Sequence, residues 1–146
     1  MTSWVVIDSG VLLATVLPDP VSTQADAIFQ HLRENSIAIA VPALFRYELA
    51  AVIRKHVHRS TLTSDEGREA LDIVLSQRVN VVMSDNMLRR GYALAERLGR
   101  PTAYDSQYLA VAEFLGCPLW TTDQRLVNSV SAVMPSVKWI GTFSSL

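Results

Sequence analysis

The sequence predicts an α/β fold built on a parallel sheet, and three observations lead there. Five short runs rich in β-branched and aromatic residues alternate with stretches whose apolar residues recur at i, i+3, i+4 and i+7. Strands that alternate with helices are joined by helical crossovers, which makes the sheet parallel and covers both its faces. The chain has 146 residues, 49% of them apolar, and shows no internal repeat, linker or low-complexity segment. That length fits a single domain over residues 1–146 and can bury a core without staples.

The first strand is Trp4-Val5-Val6-Ile7, and it stops at Asp8-Ser9-Gly10. An acid there stands at a strand's carboxyl end, where ligands collect in open α/β sheets. The same Asp8 is also placed to cap a helix over Val11 to Leu17. Pro18-Asp19-Pro20 is a turn, and a second helix starts near Ser22, burying Ala25, Ile28, Phe29 and Leu32. Ile37 to Val41 is a second buried strand, ended by Pro42.

A third helix is expected from Pro42 to His58, with Phe45, Leu49, Val52, Ile53 and His56 as its apolar stripe. Glu48 lies three residues after Phe45 and four before Val52, so it points with that stripe. An inward carboxylate costs several kcal/mol unless a cation, a metal or a hydrogen-bond network satisfies it. A salt bridge to Arg46 or to a neighbouring helix is the alternative. Thr63 and Glu66 have capping-box spacing at the start of a fourth helix that turns Ala70, Leu71, Val74 and Leu75 inward. Val79 to Met83 reads as a third strand. A fifth helix from Ser84 to Gly99 turns Met87, Leu88, Leu94, Ala95, Leu98 and either Gly91 or Tyr92 inward, with Gly99 as C-cap.

Pro101 to Asp105 opens a sixth helix, and Thr102 and Asp105 again have capping-box spacing. Tyr108, Leu109, Ala112 and Leu115 follow Asp105 at i+3, i+4, i+7 and i+10, so this acid too heads an apolar stripe. Leu119 to Thr122 is a fourth strand, ended by Asp123 and followed by a helix from Gln124 to Val133. That repeats the first unit: apolar strand, carboxylate, helix. Val137 to Ile140 reads as a short fifth strand at a sheet edge. The helices number about seven.

Asp8, Glu48, Asp105 and Asp123 therefore stand at strand ends or on buried helix faces. In a parallel sheet these positions share one rim, where four carboxylates would repel one another and bind protons more tightly. A divalent cation resolves the conflict. Magnesium and manganese prefer oxygen ligands, and magnesium borrows substrate phosphate oxygens, so a phosphate substrate is expected with the metal. Ser9 and Thr122 are small hydroxyls beside two of the acids, able to orient ligands or water. Arg46, Lys55, Arg59 and Arg125 are candidates to hold flanking phosphates, although each is more often a solvated charge.

Thirteen basic residues against fourteen acidic ones leave no strong net field. Nucleic acid held by overall charge is thereby disfavoured. Residues 51–100 nevertheless carry nine bases against six acids, and residues 1–50 two against five. The single cysteine, Cys117, excludes an internal disulfide framework and a multi-cysteine zinc site, and suits a reducing cytoplasm. No signal peptide or membrane span is read, so a soluble cytoplasmic protein is expected. His56 and His58 suit the negative end of a helix, and Trp4, Trp120 and Trp139 suit the core.

Four short stretches, Val6-Ile7-Asp8-Ser9, Arg46-Tyr47-Glu48-Leu49-Ala50, Ala103-Tyr104-Asp105-Ser106-Gln107-Tyr108-Leu109-Ala110 and Thr121-Thr122-Asp123-Gln124-Arg125-Leu126, occur in this order along nearly the whole chain. In this the sequence resembles the PIN-domain ribonucleases, in particular the VapC-type toxins of toxin–antitoxin pairs. The resemblance implies a five-stranded parallel sheet between helices and a Mg2+ or Mn2+ site built from Asp8, Glu48, Asp105 and Asp123. It also implies hydrolysis of single-stranded RNA phosphodiesters, a homodimer, and a cognate VapB-like antitoxin that blocks the site. The alternatives are an RNA-processing PIN-like nuclease outside such a pair, or a non-catalytic module that binds RNA or protein. A haloacid-dehalogenase-like phosphotransferase would need an acid where Gly10 stands. A receiver-like domain would give Glu48 no role and would need a better placed lysine than Lys138.

Overall fold

The first strand, β1 (Trp4–Ile7), runs through the middle of the sheet, and the rest of the chain is wound outward from it in both directions. The computed structural model describes residues 2–144. Among them the chain forms α1 (Ser9–Leu13), α2 (Ser22–Glu34), β2 (Ala38–Val41), α3 (Leu44–His58), α4 (Ser64–Leu75), β3 (Asn80–Val81) and α5 (Asp85–Arg97). These are followed by α6 (Asp105–Leu115), β4 (Leu119–Thr121), α7 (Gln124–Val130), β5 (Val137–Trp139) and a closing 3-10 turn, Ile140–Thr142.

All pairings are parallel, in the order β3-β2-β1-β4-β5. This matches the predicted five-stranded α/β sheet with seven α-helices. The chain steps from β1 to β2 and β3 on one side, then returns across the sheet to β4 on the other. Between β1 and β4 the direction of winding reverses, and at such a switch point the loops diverge and leave a crevice beyond the strand ends. Ile7 lies opposite Trp120 in the register, so Asp8 comes beside Thr121.

The core follows from the apolar runs. Val5, Val6 and Ile7 are buried on both faces of the central strand, with Leu119 and Val41 on its neighbours. Helix α6 lies on β1, β2 and β4 and buries Leu109, Ala110, Val111 and Ala112. Truncating a fully buried side chain such as Leu109 to Ala costs about 2–5 kcal/mol. Among the described residues no helix is long and apolar enough to cross a membrane.

Several element boundaries differ from expectation. The first helix begins at Ser9 and ends at Leu13, because Asp8 itself is its N-cap. The third strand shrinks from Val79–Met83 to Asn80–Val81, an exposed edge paired with β2. In α5, Gly91 takes the inward position, leaving Tyr92 and Leu88 exposed. Against the reading of Thr102 and Asp105 as a capping box, residues 101–104 are bends. Helix α6 starts at Asp105, and its N-cap Tyr104 makes no side-chain capping bond. Local spacing had favoured a cap there, but Asp105 is engaged by Arg100 instead. The Thr63–Glu66 capping box is present in full, with Thr63 N–H donating to Glu66 at 2.8 Å and Glu66 N–H to Thr63 at 3.1 Å.

Candidate active site

Asp8 leaves β1 in extended conformation, and its Oδ1 accepts the Val11 N–H at 3.0 Å, capping α1. The capping reading of this residue is therefore correct, but it uses only one oxygen. The other, Oδ2, accepts the Thr121 hydroxyl and the Thr122 N–H, the latter at 3.3 Å. Asp123 repeats the pattern at the end of β4, its Oδ1 accepting the Leu126 N–H at 3.0 Å. Its own N–H donates to Thr121 Oγ1 at 3.0 Å. The buried Thr121 hydroxyl thus donates to one strand-end acid and accepts from the backbone of the other.

Glu48 comes from α3, which packs on α1. Its Oε1 accepts the Tyr108 hydroxyl at 2.5 Å, and Ser9 lines the same cleft, where its hydroxyl helps to lower the proton affinity of the carboxyl. The inward carboxylate is satisfied by the Tyr108 hydroxyl of α6, not by Arg46. Asp105, first in α6, accepts from Arg100 Nη2 at 2.9 Å, an ion pair with both side chains partly shielded from water.

All four acids line one cleft of about 40 Å³, together with Ser9, Tyr108 and Thr121. Wider concavities of about 720 and 550 Å³ exist on the surface, yet neither is lined by a carboxylate. Convergence of charge, not size, marks this site. Burial is the main reason that Asp8 is pushed up to about 6. Its bonds from Thr121, Val11 and Thr122 act in the opposite direction, and the Glu48 charge adds to the rise. Glu48 is raised as well, chiefly by burial, against the Tyr108 and Ser9 bonds and with help from Asp105. The Tyr108 phenol lies far above its ordinary range, through burial and then the Glu48 charge, so it is a neutral donor at any physiological pH.

Among the described residues no three of these acids form a ready-made metal cage. Each is turned to a hydroxyl, an amide or a guanidinium of the protein. The donor set is nonetheless entirely oxygen and anionic, and two members, Asp8 and Glu48, bind protons more tightly than usual chiefly because they are buried. Such a set suits a hard cation like Mg2+ or Mn2+ and does not suit zinc or copper.

Of the auxiliary residues expected from sequence, Ser9 lines the cleft. The Thr122 side chain does not line it; a Cβ built on Gly10 would stand 2.3 Å from its Oγ1, so α1 approaches β4 this closely only because residue 10 is glycine. Arg46, Lys55, Arg59 and Arg125 are exposed and outside the cleft. Sequence reasoning passed over Thr121, Tyr108, Arg100 and Gly10. A usable signal existed for Tyr108: it is the hydroxyl-bearing member of the apolar stripe led by Asp105.

The class that fold and site define is an α/β protein with a cleft lined by four carboxylates at the switch point of a parallel sheet. A family profile described as PIN domain matches residues 5–130, and the chain belongs to that family. It is similar to Ribonuclease VapC3 of Pyrobaculum aerophilum, with 30% identity over 132 residues covering 88% of this chain and 96% of the relative. It is also similar to VapC ribonuclease Mb0985 of Mycobacterium bovis, with 30% identity over 90% of this chain and 94% of the relative. Ribonuclease VapC12 of Mycobacterium tuberculosis is 30% identical over 86% of this chain and 91% of its own. The crystal structure of PAE2754 from Pyrobaculum aerophilum shares the fold, with a TM-score of 0.68, 23% identity, and coverage of 97% of this chain and 94% of that one.

Proposed function

We infer that this chain is an endoribonuclease that hydrolyses phosphodiester bonds of single-stranded RNA, and that it is the toxin of a toxin–antitoxin pair. The observation that carries the reading is the convergence of Asp8, Glu48, Asp105 and Asp123, from four separate elements, on one cleft at the β1/β4 switch point. The VapC ribonucleases to which the chain is similar along most of its length support the substrate class. The whole chain is taken as one PIN domain.

When bound by these acids, Mg2+ or Mn2+ would polarise a phosphoryl oxygen and lower the pKa of a coordinated water. The chain's own residues prepare the site. Tyr108 fixes the rotamer of Glu48, and Thr121 fixes Asp8 while bracing the Asp123 backbone. Above about pH 6 Asp8 is ionised and ready to act as a ligand. Arg100, held at the cleft by Asp105, supplies positive charge where a phosphate would enter.

The partners that fit this reading are an RNA substrate, a VapB-like antitoxin and a second copy of the chain in a homodimer. The compartment is the cytoplasm, which suits a lone buried thiol whose proton affinity is raised by burial. The test is cleavage of a panel of structured and single-stranded RNAs with Mg2+, Mn2+ or EDTA, by the parent, Asp8→Asn and Asp105→Asn. Metal-dependent cutting that is lost in both variants is expected. Cutting that persists in EDTA or in Asp8→Asn overturns the assignment.

A further inference from the structure

Beside the acidic cleft lies an apolar groove of about 550 Å³, between the start of α3, the segment after β3 and the loop before α6. The two depressions share a wall, residue by residue. Tyr47 precedes Glu48, Tyr104 precedes Asp105 and Gln107 precedes Tyr108; the first of each pair lines the groove and the second the cleft. Neighbouring residues are about 3.8 Å apart at Cα, so the groove begins within a nucleotide's reach of the acids.

The lining is unusual for a surface. Tyr47 is 79% exposed, Tyr104 67% and Met83 60%, and such a concentration of large apolar side chains in water marks a binding surface. Among the described residues no charged side chain lines the groove. Its rim is different. Arg46 adjoins Tyr47, and one helical face of α3 continues through Ala50 to Arg54, with Tyr47, Ala51 and Lys55 in the adjacent row. All six are exposed, and among the described residues Arg46, Arg54 and Lys55 are in no ion pair. Aromatic platforms with a row of cations leading to them suit a chain of planar bases joined by phosphates. The exposed alanines leave that row unobstructed.

From this, and resting on the ribonuclease reading above, we propose that Tyr47 and Tyr104 form a base-stacking subsite for single-stranded RNA next to the acidic cleft. The flanking phosphates run along Arg46, Arg54 and Lys55.

The experiment is fluorescence anisotropy of a labelled single-stranded RNA with full-length Asp8→Asn protein, which keeps RNA uncut. Tyr47→Ala, Tyr104→Ala and the corresponding Phe variants are compared in that background, with folding checked by circular dichroism and mass by light scattering. Each Ala substitution should weaken binding about tenfold, and each Phe substitution should restore it. In a Tyr104→Trp variant, indole emission should be quenched as RNA is added. RNA affinity unchanged in both Ala variants overturns the proposal, as does a drop in mass with RNA affinity retained, which would make the groove a protein interface. The ribonuclease reading fails separately: parent protein that cuts no RNA, with groove-dependent RNA binding intact, removes the activity and leaves the subsite standing.

Discussion

The β1–Asp8–α1 and β4–Asp123–α7 units follow the same sequence logic, and the structure puts them to different use. Each acid caps its helix with one oxygen at 3.0 Å from the amide three residues on. Only Asp8, on the central strand, also takes two donors from the neighbouring strand, and burial pushes its carboxyl up to about 6. A cap is a local property that either unit achieves alone. The electrostatic state of the acid depends on what the fold stacks around it: burial raises the Asp8 carboxyl, the Thr121 hydroxyl opposes the rise and the Glu48 charge adds to it, the last two from 113 and 40 residues away in sequence.

The largest test of this difference is catalytic. Asp8→Asn should reduce metal-dependent RNA cleavage by about 10²–10⁴-fold, the loss of several kcal/mol of transition-state stabilisation. Asp123→Asn should also be defective but retain more activity, read as turnover per folded protein. Equal losses would mean that the two acids are equivalent ligands despite their surroundings.

Thr121→Val comes next, because it removes the hydroxyl that joins the two units without touching either acid. A loss of about 10–100-fold in metal affinity or turnover is expected, as for other residues that orient a ligand. Calorimetric titration with Mn2+ separates the two.

A third comparison uses pH. The unfolded chain releases the Asp8 proton near 3.8 and the folded chain near 6, so between these values the folded state holds more protons and stability falls as pH rises. Above pH 6 the cost is fully present. In EDTA, Asp8→Asn should therefore be more stable than the parent at pH 8, by about 2 kcal/mol after allowing for the weakened Thr122 amide bond. The advantage should vanish below about pH 4, measured by urea unfolding. A pH-independent difference would refute the burial argument.

Gly10→Ala tests the seam itself. The added methyl meets Thr122, and the overlap should destabilise the protein by about 1–3 kcal/mol, partly relieved by Thr122→Ala. The smallest effect is expected from Arg100→Ala. That ion pair is half-open to water, so stability should change by less than about 1 kcal/mol in a thermal melt.

The four acids were legible because each breaks a local rule: a carboxylate ends an apolar strand, or heads or interrupts an apolar helix stripe, where burial makes charge expensive. Their partners were not. Tyr108 belonged to an apolar stripe, and nothing local showed that its hydroxyl would reach across to Glu48. Thr121 and Thr122 are chemically alike and adjacent. Parallel pairing of β4 with β1 decides that the first presents its hydroxyl to Asp8 and the second its amide.

By itself the sequence determined the order and type of the elements, the parallel sheet and the acids at its rim, since apolar periodicity, capping and the expense of buried charge act over a few residues. Tertiary structure decided what the acids became. The choice of β1 as the central strand and the closeness of α1 to β4 that Gly10 permits depend on groups brought together by packing. So does the groove beside the cleft: Tyr47 and Tyr104 are 57 residues apart in sequence, and only the packed fold lines them along one wall.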